Sequence, residues 1–262
     1  MGIRHSKLSL SIVTFNNADV LEKRLNILLP IFKQNGISKV FIIDNYSDDN
    51  TPRLLEQFSN QEPILNVILL KNNLGFGYGH NRAINQIDSD YHIVMNLDTT
   101  PVGNDLLSRI SYYMNEHTDI DLMSPLVRFP SGDIQHLTRN EPTVFDLAIR
   151  FLGPRFFPKR QEKFINLSDG YNHEQIIKNA TGSFMFLRTK TLQAIGGFDE
   201  RYFLYMEDTD LTKKINEQGK AVFCPNFEVT HEWQRGNHSI KGAKLMIESM
   251  IKYFNKWGWK FF

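Results

Sequence analysis

The stretch that decides the fold is residues 91–103, YHIVMNLDTTPVG. Its first half is apolar and predicts a buried strand, which ends at Asn96 and Asp98 before Pro101 and Gly103 close a turn. A carboxylate at the carboxyl end of a buried strand is costly unless a cation, a turn or a helix N-terminus compensates it. This strand end is therefore either an ordinary turn or one part of a polar binding site.

Strands and helices alternate along the chain before this stretch. The segments LSLSIVTFN, KVFIIDN and PILNVILLK have the composition of strands, and ADVLEKRLNILLPIFKQNG, DDNTPRLLEQFSN and GHNRAINQIDS have helical patterns. Such an alternation predicts right-handed βαβ units and a Rossmann-like α/β fold, with a mostly parallel central sheet flanked by helices. After about residue 125 the alternation breaks. Strong patterns return at ATGSFMFLRT and at the helix MEDTDLTKKINEQG.

Composition narrows the class of protein. The chain has 262 residues, of which 41% are apolar, enough for one large core. Its net charge of +1 gives no argument for nucleic acid binding. The single cysteine, Cys224, excludes an internal disulfide framework and is typical of a reducing compartment. Because no apolar run approaches the roughly 20 residues that span a bilayer, and the first residues do not resemble a secretory signal, we expect a cytoplasmic protein.

Polar residues follow each of the first four predicted strands. In an open parallel sheet, ligands bind at the carboxyl ends of the strands. One such ending is ordinary turn chemistry, but four at the same sheet edge predict a polar site for a nucleotide. The residues are Asn16 and Asn17, then Asp44 and Asn45, then Lys71 to Asn73, and finally Asn96 and Asp98.

A glycine-rich segment, LLKNNLGFGYGHNRAI, follows the third strand. The dinucleotide-binding pattern G-x-G-x-x-G needs a glycine where this chain has His80, and the phosphate-binding Gly-Lys-Ser/Thr pattern is missing. The segment is either a flexible turn or a loop whose backbone approaches a nucleotide, with Lys71 or Arg82 near phosphate. The neighbouring polar strand ends favour the second interpretation.

Two further groups of residues suggest chemistry. On an extended stretch, Asn96 and Asp98 point to the same side, where both could face one cation such as Mg²⁺. Glu207, Asp208 and Asp210 begin a helix, where carboxylates cap free N–H groups. Three acids behind an aromatic run exceed what a cap needs, so one of them is a candidate general base.

A late histidine is the last candidate. His231 alone is as well explained by a core or surface position as by a ligand role. Arg235 and His238 follow it closely, and they would allow metal or diphosphate contacts.

Together these motifs resemble the family 2 inverting glycosyltransferases with the GT-A fold, particularly the bacterial rhamnosyltransferase-like branch. The resemblance covers about residues 8 to 240, and the motifs occur in the family's order and spacing. It implies a GT-A domain over residues 1–240, with a nucleotide-binding half of about 1–125 and an acceptor-side half of about 126–240. The motifs are SIVTFNN, IIDNYSDDNT, NNLGFGYGHNRAI, NLD, GSFMFLRTKTLQAIGGFDERYFLYMEDTDLTKKINEQG and the late His231.

The resemblance also implies substrates and roles. It implies a dTDP- or UDP-linked sugar donor carrying rhamnose or another hexose, Mg²⁺ or Mn²⁺, and a hydroxyl acceptor on a cell-surface polysaccharide or lipid-linked glycan. Asp98, with Asn96 and His231, would hold the metal, and Asp208 would be the base, supported by Glu207. Gly182, Ser183 and Asp210 would lie on the donor-sugar or acceptor side. The implied nucleotide-binding residues are Thr14, Asn16, Asp44, Asn45, Asn72, Gly75 and Asn81.

Two segments would serve acceptor recognition or attachment. Residues 134–164, rich in arginine, lysine and phenylalanine, lie where the family varies for its acceptors. Residues 241–262 form a predicted amphipathic helical tail in which lysines alternate with aromatic residues. The tail is either a helix packed on the domain or in a homodimer, or a surface helix that contacts anionic lipid at the inner face of the membrane.

Two other functions remain open at this stage. An NAD-type oxidoreductase on a Rossmann sheet is one, although the missing third glycine counts against it. A non-catalytic nucleotide- or glycan-binding module is the other. The variant Asp208→Asn distinguishes a binding module from an enzyme, because a binding module would keep all of its properties in this variant.

Overall fold

The computed structural model describes residues 6–153, 155–167, 170–232 and 240–262. Strands and helices alternate through the first half and become irregular after residue 128. The elements are β1 (Leu8–Thr14), α1 (Ala18–Gln34), β2 (Ile37–Asp44), α2 (Thr51–Gln61), β3 (Leu65–Leu69), α3 (Phe76–Ile84), β4 (Tyr91–Met95), β5 (Thr99–Pro101), α4 (Leu106–Glu116), β6 (Ile120–Arg128), α5 (Val144–Leu152), α6 (Pro158–Phe164), β7 (Gln175–Ile176), β8 (Phe184–Arg188), α7 (Thr189–Ala194), α8 (Glu207–Asn216), β9 (Lys220–His231) and α9 (Ile240–Trp257).

The first four strands form the predicted parallel sheet, in the order β3-β2-β1-β4. Apolar side chains on both faces of β1 and β4 are buried, as expected for strands covered by helices on each side. Thr14 pairs with Asp44 in register, so the carboxyl ends of β1 and β2 lie together. The predicted α/β fold is confirmed, and the polar residues after these strands meet at one edge.

The other half of the sheet is mixed, in the order β8-β6-β9-β5 beyond β4. β8 pairs antiparallel with β4 and with β6, whereas β6 and β9 are parallel. The short β5 pairs antiparallel with the end of β9, which places Thr99 opposite His231. This pairing brings the turn after β4 next to the late histidine, although 133 residues separate Asp98 from His231 in the chain.

The glycine-rich segment runs into a helix: Gly77 and Gly79 lie in α3, and Gly75 immediately precedes it. α3 begins at Phe76, before the predicted start at Gly79. A Cβ atom at Gly77 would lie 2.7 Å from the Phe198 side chain, and one at Gly79 would lie 2.7 Å from that of Val13. Gly75 has a φ of +99°, and a Cβ there would lie 2.0 Å from the carbonyl oxygen of Phe203. Close packing within the protein therefore explains these glycines, and the predicted role of Gly75 in nucleotide binding is not needed to account for it.

The C-terminal helix packs into the domain. Tyr253 and Phe254 of α9 are buried with Leu147 of α5, Phe164 of α6 and Tyr202. Of the two alternatives for the tail, the structure therefore shows a helix packed on the domain, and contact with a membrane or a second copy stays a prediction. Within the described residues, no helix is both long and apolar enough to cross a bilayer.

Asp210 joins α8 to this helix, which corrects its predicted place beside the sugar. Its carboxylate is fully buried and lies 2.7 Å from the ammonium group of Lys256. It also accepts a hydrogen bond of 2.7 Å from the indole N–H of Trp257. A buried carboxylate with these partners is satisfied within the protein, so Asp210 stabilises the packing of α9 and is not free to bind a ligand.

Two buried histidines and two serines form a polar network that joins β1, β4 and α3. His92 of β4 lies between two hydroxyl groups, 2.7 Å from that of Ser9 and 2.8 Å from that of Ser11. Ser11 also lies 2.7 Å from Nδ1 of His80 on α3. Burial lowers the pKa of His92 from 6.5 to about 3. Burial, together with the neighbouring His92, holds the pKa of His80 well below its usual value. Both rings are therefore neutral in the folded protein.

We expect these histidines to make the protein sensitive to acid. Below pH 6.5 the unfolded chain binds protons that the folded protein excludes, so stability falls with pH until the folded pKa values are reached. In this window, each histidine lowers the free energy of unfolding by about 1.4 kcal/mol for every unit by which the pH falls. His92 alone should remove about 2 kcal/mol between pH 7.5 and pH 5. Urea unfolding at both pH values tests this, and His92→Gln should reduce the difference; an equal loss in the variant would contradict the assignment.

Candidate active site

Three predicted metal ligands meet at the carboxyl edge of the sheet. Asn96 and Asp98 lie in the turn between β4 and β5, closed by the bond from the Thr99 N–H to the Asn96 carbonyl. Oδ1 of Asp98 lies 3.3 Å from Nε2 of His231, and Nδ2 of Asn96 lies 3.4 Å from the same nitrogen. The predicted cluster is thus present, but a turn produces it rather than the alternation of an extended strand.

Gln135, which the sequence did not indicate, orients the imidazole ring. Its Nε2 donates to the backbone carbonyl of His231 at 2.7 Å, which determines which end of the amide faces the ring. Oε1 therefore lies 3.0 Å from Nδ1 of His231, and that nitrogen must carry the proton. On the neutral ring, Nε2 then directs a lone pair at the Asp98 carboxylate. Two acceptors at this distance need a proton or a cation between them.

Arg24 is a second residue that the sequence analysis missed. It is almost fully buried, and its guanidinium donates to the carbonyls of Leu97 and Thr99 on both sides of Asp98, at 2.8 and 3.0 Å. An ion pair with Glu232, at 3.2 Å, compensates its charge. Its position among the leucines of α1 was the signal available, since a charged residue on the apolar face of a helix needs a buried partner.

The candidate base lies at the start of α8, across the edge of the sheet. Oδ1 of Asp208 accepts the backbone N–H of Thr209 at 2.7 Å, and Oδ2 accepts that of Gly182 at 3.3 Å. Tyr205 and Met206, just before the helix, have φ values of +70° and +67°. Consecutive left-handed residues that are not glycine are costly and occur where the surrounding structure holds a functional site in place.

Glu207 differs from Asp208 in its environment. It is buried, and its Oε2 has no hydrogen-bond partner. Burial, with the adjacent charge of Asp208, raises the pKa of Glu207 to about 8. Glu207 is therefore mostly protonated at neutral pH, which leaves Asp208 as the carboxylate able to accept a proton. The two adjacent acids thus lie in different environments, as paired carboxyl groups do in other active sites.

One cavity, with a volume of about 560 Å³, contains both groups. Asn96, Asp98 and His231 line it, and so do Glu207 and Asp208. Its size is within the range of sites that hold a small organic ligand. Gly182 and Ser183, predicted on the sugar or acceptor side, line the same cavity, as do Phe76, Thr181 and Tyr205.

The predicted nucleotide-binding residues divide into two groups. Thr14 and Asp44 are buried, and the Asp44 carboxylate accepts the backbone N–H of Ser47 at 2.9 Å. Asn16 is exposed and its side chain accepts the N–H of Asp48 at 3.0 Å, while Asn72 is exposed. A nucleotide contact by these four residues stays a prediction.

Asn45 and Asn81 are different, because the protein uses their amide groups. Asn45 donates to the carbonyl of Gly75 and accepts from the N–H of Leu74. Asn81 donates to the carbonyl of Phe198 and accepts the N–H of the same residue, both at 2.9 Å. Both side chains are buried and hold loops around the site, and their contact with a nucleotide stays a prediction. Arg235 and His238 lie outside the described residues.

A sheet with a parallel first half and a mixed second half, and a carboxylate opposite a carboxylate–histidine cluster at its edge, are the features of a glycosyltransferase with the GT-A fold. A sequence model of the family described as "Glycosyl transferase family 2" matches residues 9–193. The chain belongs to this family. The predicted family, fold and enzyme class are confirmed. The match does not support the oxidoreductase alternative.

The curated relatives include rhamnosyltransferases. The N-acetylglucosaminyl-diphospho-decaprenol L-rhamnosyltransferase of Mycobacterium tuberculosis is 29% identical over 239 residues, covering 84% of this chain and 74% of the relative. The rhamnosyltransferase WbbL of Escherichia coli K12 is 24% identical over 193 residues, covering 68% of this chain and 69% of WbbL. The chain is similar to both over most of their length.

Two solved structures show the same fold. A mannosyltransferase from Pyrobaculum calidifontis, in complex with GDP-Man and Mn²⁺, superposes with a TM-score of 0.66 at 17% identity over 97% of this chain and 65% of its own. GalNAc-T7 with UDP, GalNAc and Mn²⁺ superposes with a TM-score of 0.68 at 12% identity, over 97% of this chain and 48% of its own. The chain thus spans between about half and two thirds of these solved chains.

Proposed function

We propose that this protein transfers a sugar, with rhamnose as the first candidate, from a nucleoside-diphosphate donor to a hydroxyl of a lipid-linked or cell-surface glycan, with inversion. The observation that carries the proposal is the cavity that contains Asp208 together with the Asp98–His231 cluster. Inverting transfer needs both a proton acceptor for the attacking hydroxyl and a positive charge at the departing diphosphate. Relatives named for rhamnosyl transfer support the choice of sugar.

The side chains present suit a divalent cation. Asp98 offers carboxylate oxygens, and Nε2 of His231 offers a lone pair because Gln135 holds the proton on the other nitrogen. Rotation of the Asn96 amide would add an oxygen. The described residues contain no cluster of three or more acidic, histidine or cysteine ligands, so the remaining positions would belong to water and diphosphate. A mixed nitrogen and oxygen set suits Mn²⁺ better than Mg²⁺. When bound, the cation would neutralise charge on the leaving diphosphate.

Asp208 then acts on the acceptor. The acceptor hydroxyl oxygen forms a bond to the anomeric carbon of the donor sugar while the bond from that carbon to the diphosphate breaks on the opposite face. The hydroxyl proton passes to the carboxylate of Asp208. The N–H groups of Thr209 and Gly182 orient this carboxylate, and Glu207 stays protonated beside it at neutral pH.

A thermal-stability panel tests the donor and the metal together. The protein is heated with dTDP-L-rhamnose, UDP-N-acetylglucosamine, GDP-mannose or NAD, each with and without Mn²⁺. One nucleotide sugar at about 100 Kd should stabilise the fold by about 2.7 kcal/mol, which raises Tm by about 5 to 10 °C. The shift should disappear on chelation. Stabilisation by NAD alone, without metal dependence, would contradict the proposal.

A further inference from the structure

A second, smaller cavity opens beside Asp208. Its volume is about 90 Å³, and it shares Arg139, Tyr205, Glu207, Asp208 and Met246 with the larger cavity. The rest of its wall is largely apolar, formed by Pro142, Leu147, Phe164 and Met206. The candidate base thus lies between the space for the donor and a narrow space bounded by α5, α6 and α9.

Arg139 contributes a positively charged side chain to the wall of this small cavity. Its backbone is held by a bridge to Asn179, which also lines the cavity. Among the described residues its guanidinium forms no ion pair, and its buried Nε has no hydrogen-bond partner. Nearby cations are paired: Arg160 with Asp146, and Lys213 and Lys260 with Glu141. An unpaired guanidinium in a partly buried wall is suited to a bound anion.

A largely exposed aromatic surface, which includes the half-buried Phe145, lies on α5 and on the segments that precede α6 and follow α9. We define it as Phe145, Phe156, Phe157 and Phe262. The ring of Phe145 lies 5.1 Å from that of Phe157 and 5.5 Å from that of Phe262, and Phe262 is 87% exposed. Phe145 belongs to α5, the helix that contributes Leu147 to the small cavity. An apolar chain attached to an anion at Arg139 would find protein surface of matching chemistry on the same helix, α5.

The geometry points to an acceptor subsite in the small cavity, where Arg139 binds a phosphate of a lipid-diphosphate-linked sugar whose hydroxyl lies at Asp208. This inference rests on the proposed function and names the acceptor class within it. A free phosphate or an acidic sugar would need the guanidinium but not the aromatic surface. The donor diphosphate has its own position at the Asp98–His231 cluster, so the charge of Arg139 is available to the acceptor.

Two acceptors with the same sugar and similar chain length test the subsite. One is N-acetylglucosaminyl diphosphate carrying a short isoprenoid, and the other is an alkyl glycoside of N-acetylglucosamine, which lacks phosphate. Binding is measured by isothermal titration to the full chain saturated with nucleoside diphosphate and Mn²⁺, and transfer is measured separately. Arg139→Gln should raise the Kd and KM of the diphosphate acceptor about 10- to 100-fold, the usual effect of losing a charge-assisted contact. The KM of the alkyl glycoside and the KM of the donor should each change less than about twofold, within the scatter of surface substitutions.

Two control variants sharpen the result. Arg139→Lys keeps the charge without the bidentate fork and should recover part of the affinity. Arg53→Gln removes an exposed arginine on α2 and should leave all constants unchanged. The inference is overturned if Arg139→Gln raises the donor KM instead, weakens both acceptors equally, or if the wild-type protein binds no diphosphate acceptor. Binding of that acceptor, weakened by Arg139→Gln, without any sugar transfer would leave the subsite standing and remove the proposed function.

Discussion

Asp208→Asn is expected to lower kcat by about 10²- to 10⁴-fold, the usual contribution of a positioned general base. The amide keeps the size of the side chain but cannot accept the proton of the acceptor hydroxyl. Donor binding should be retained, because the proposed donor contacts lie at the Asp98–His231 cluster. Initial rates with saturating donor measure the first effect, and titration with donor and Mn²⁺ measures the second.

Asp210→Asn is the matched control on the same helix. Asp210 faces Lys256 and Trp257 in the protein interior, so its loss should lower the free energy of unfolding by about 1 to 3 kcal/mol, the cost of an incompletely paired buried group. Activity per folded molecule should remain near that of the wild type. If Asp208→Asn retained full turnover, Asp208 would not be the base.

Asp98→Ala is expected to lower kcat/KM by about 10³-fold, as the loss of about 4 kcal/mol of charge stabilisation at the leaving diphosphate predicts. The variant keeps only His231 and Asn96 at the cluster, so its affinity for Mn²⁺ should fall together with its activity. The signal of bound Mn²⁺ in electron paramagnetic resonance gives a readout that is independent of turnover.

Asp105→Ala provides the control for Asp98→Ala. Asp105 is exposed a few residues further along, before α4. Its substitution removes the same negative charge without changing the cluster. It should leave both Mn²⁺ binding and kcat/KM unchanged. Full activity of the wild-type protein after exhaustive chelation would show that the cluster holds no catalytic metal.

Several features of the fold and site could be predicted from local sequence. Apolar runs separated by helical patterns indicate a parallel sheet, because strand and helix periodicities are local properties. Residues after such strands meet at one edge whatever the details of packing, which is why the strand-end position of Asp98 was informative. The acids at the start of α8 and the late His231 were candidates from their residue types and positions, and the order and spacing of the family's motifs implied their roles.

The roles of individual polar residues were less predictable. Asn45, Asn81 and Asp210 are residue types expected at ligand contacts. Each is instead hydrogen-bonded or ion-paired to a group far away in the chain. Gln135 and Arg24 gave little signal by themselves, although one orients His231 and the other holds the turn around Asp98. The same amide or charge serves a ligand or a loop according to what lies opposite it.

By itself, the amino-acid sequence determined the class of fold, the sheet edge that carries the site and the acids that face it, since these depend on periodicity and on the order of the elements. Only the tertiary structure decided which polar groups remain available to a ligand. That depends on contacts between distant segments, such as β5 with β9 and α8 with α9. Burial and pairing in those contacts make Glu207 neutral, occupy Asp210 and leave Arg139 without a carboxylate among the residues described.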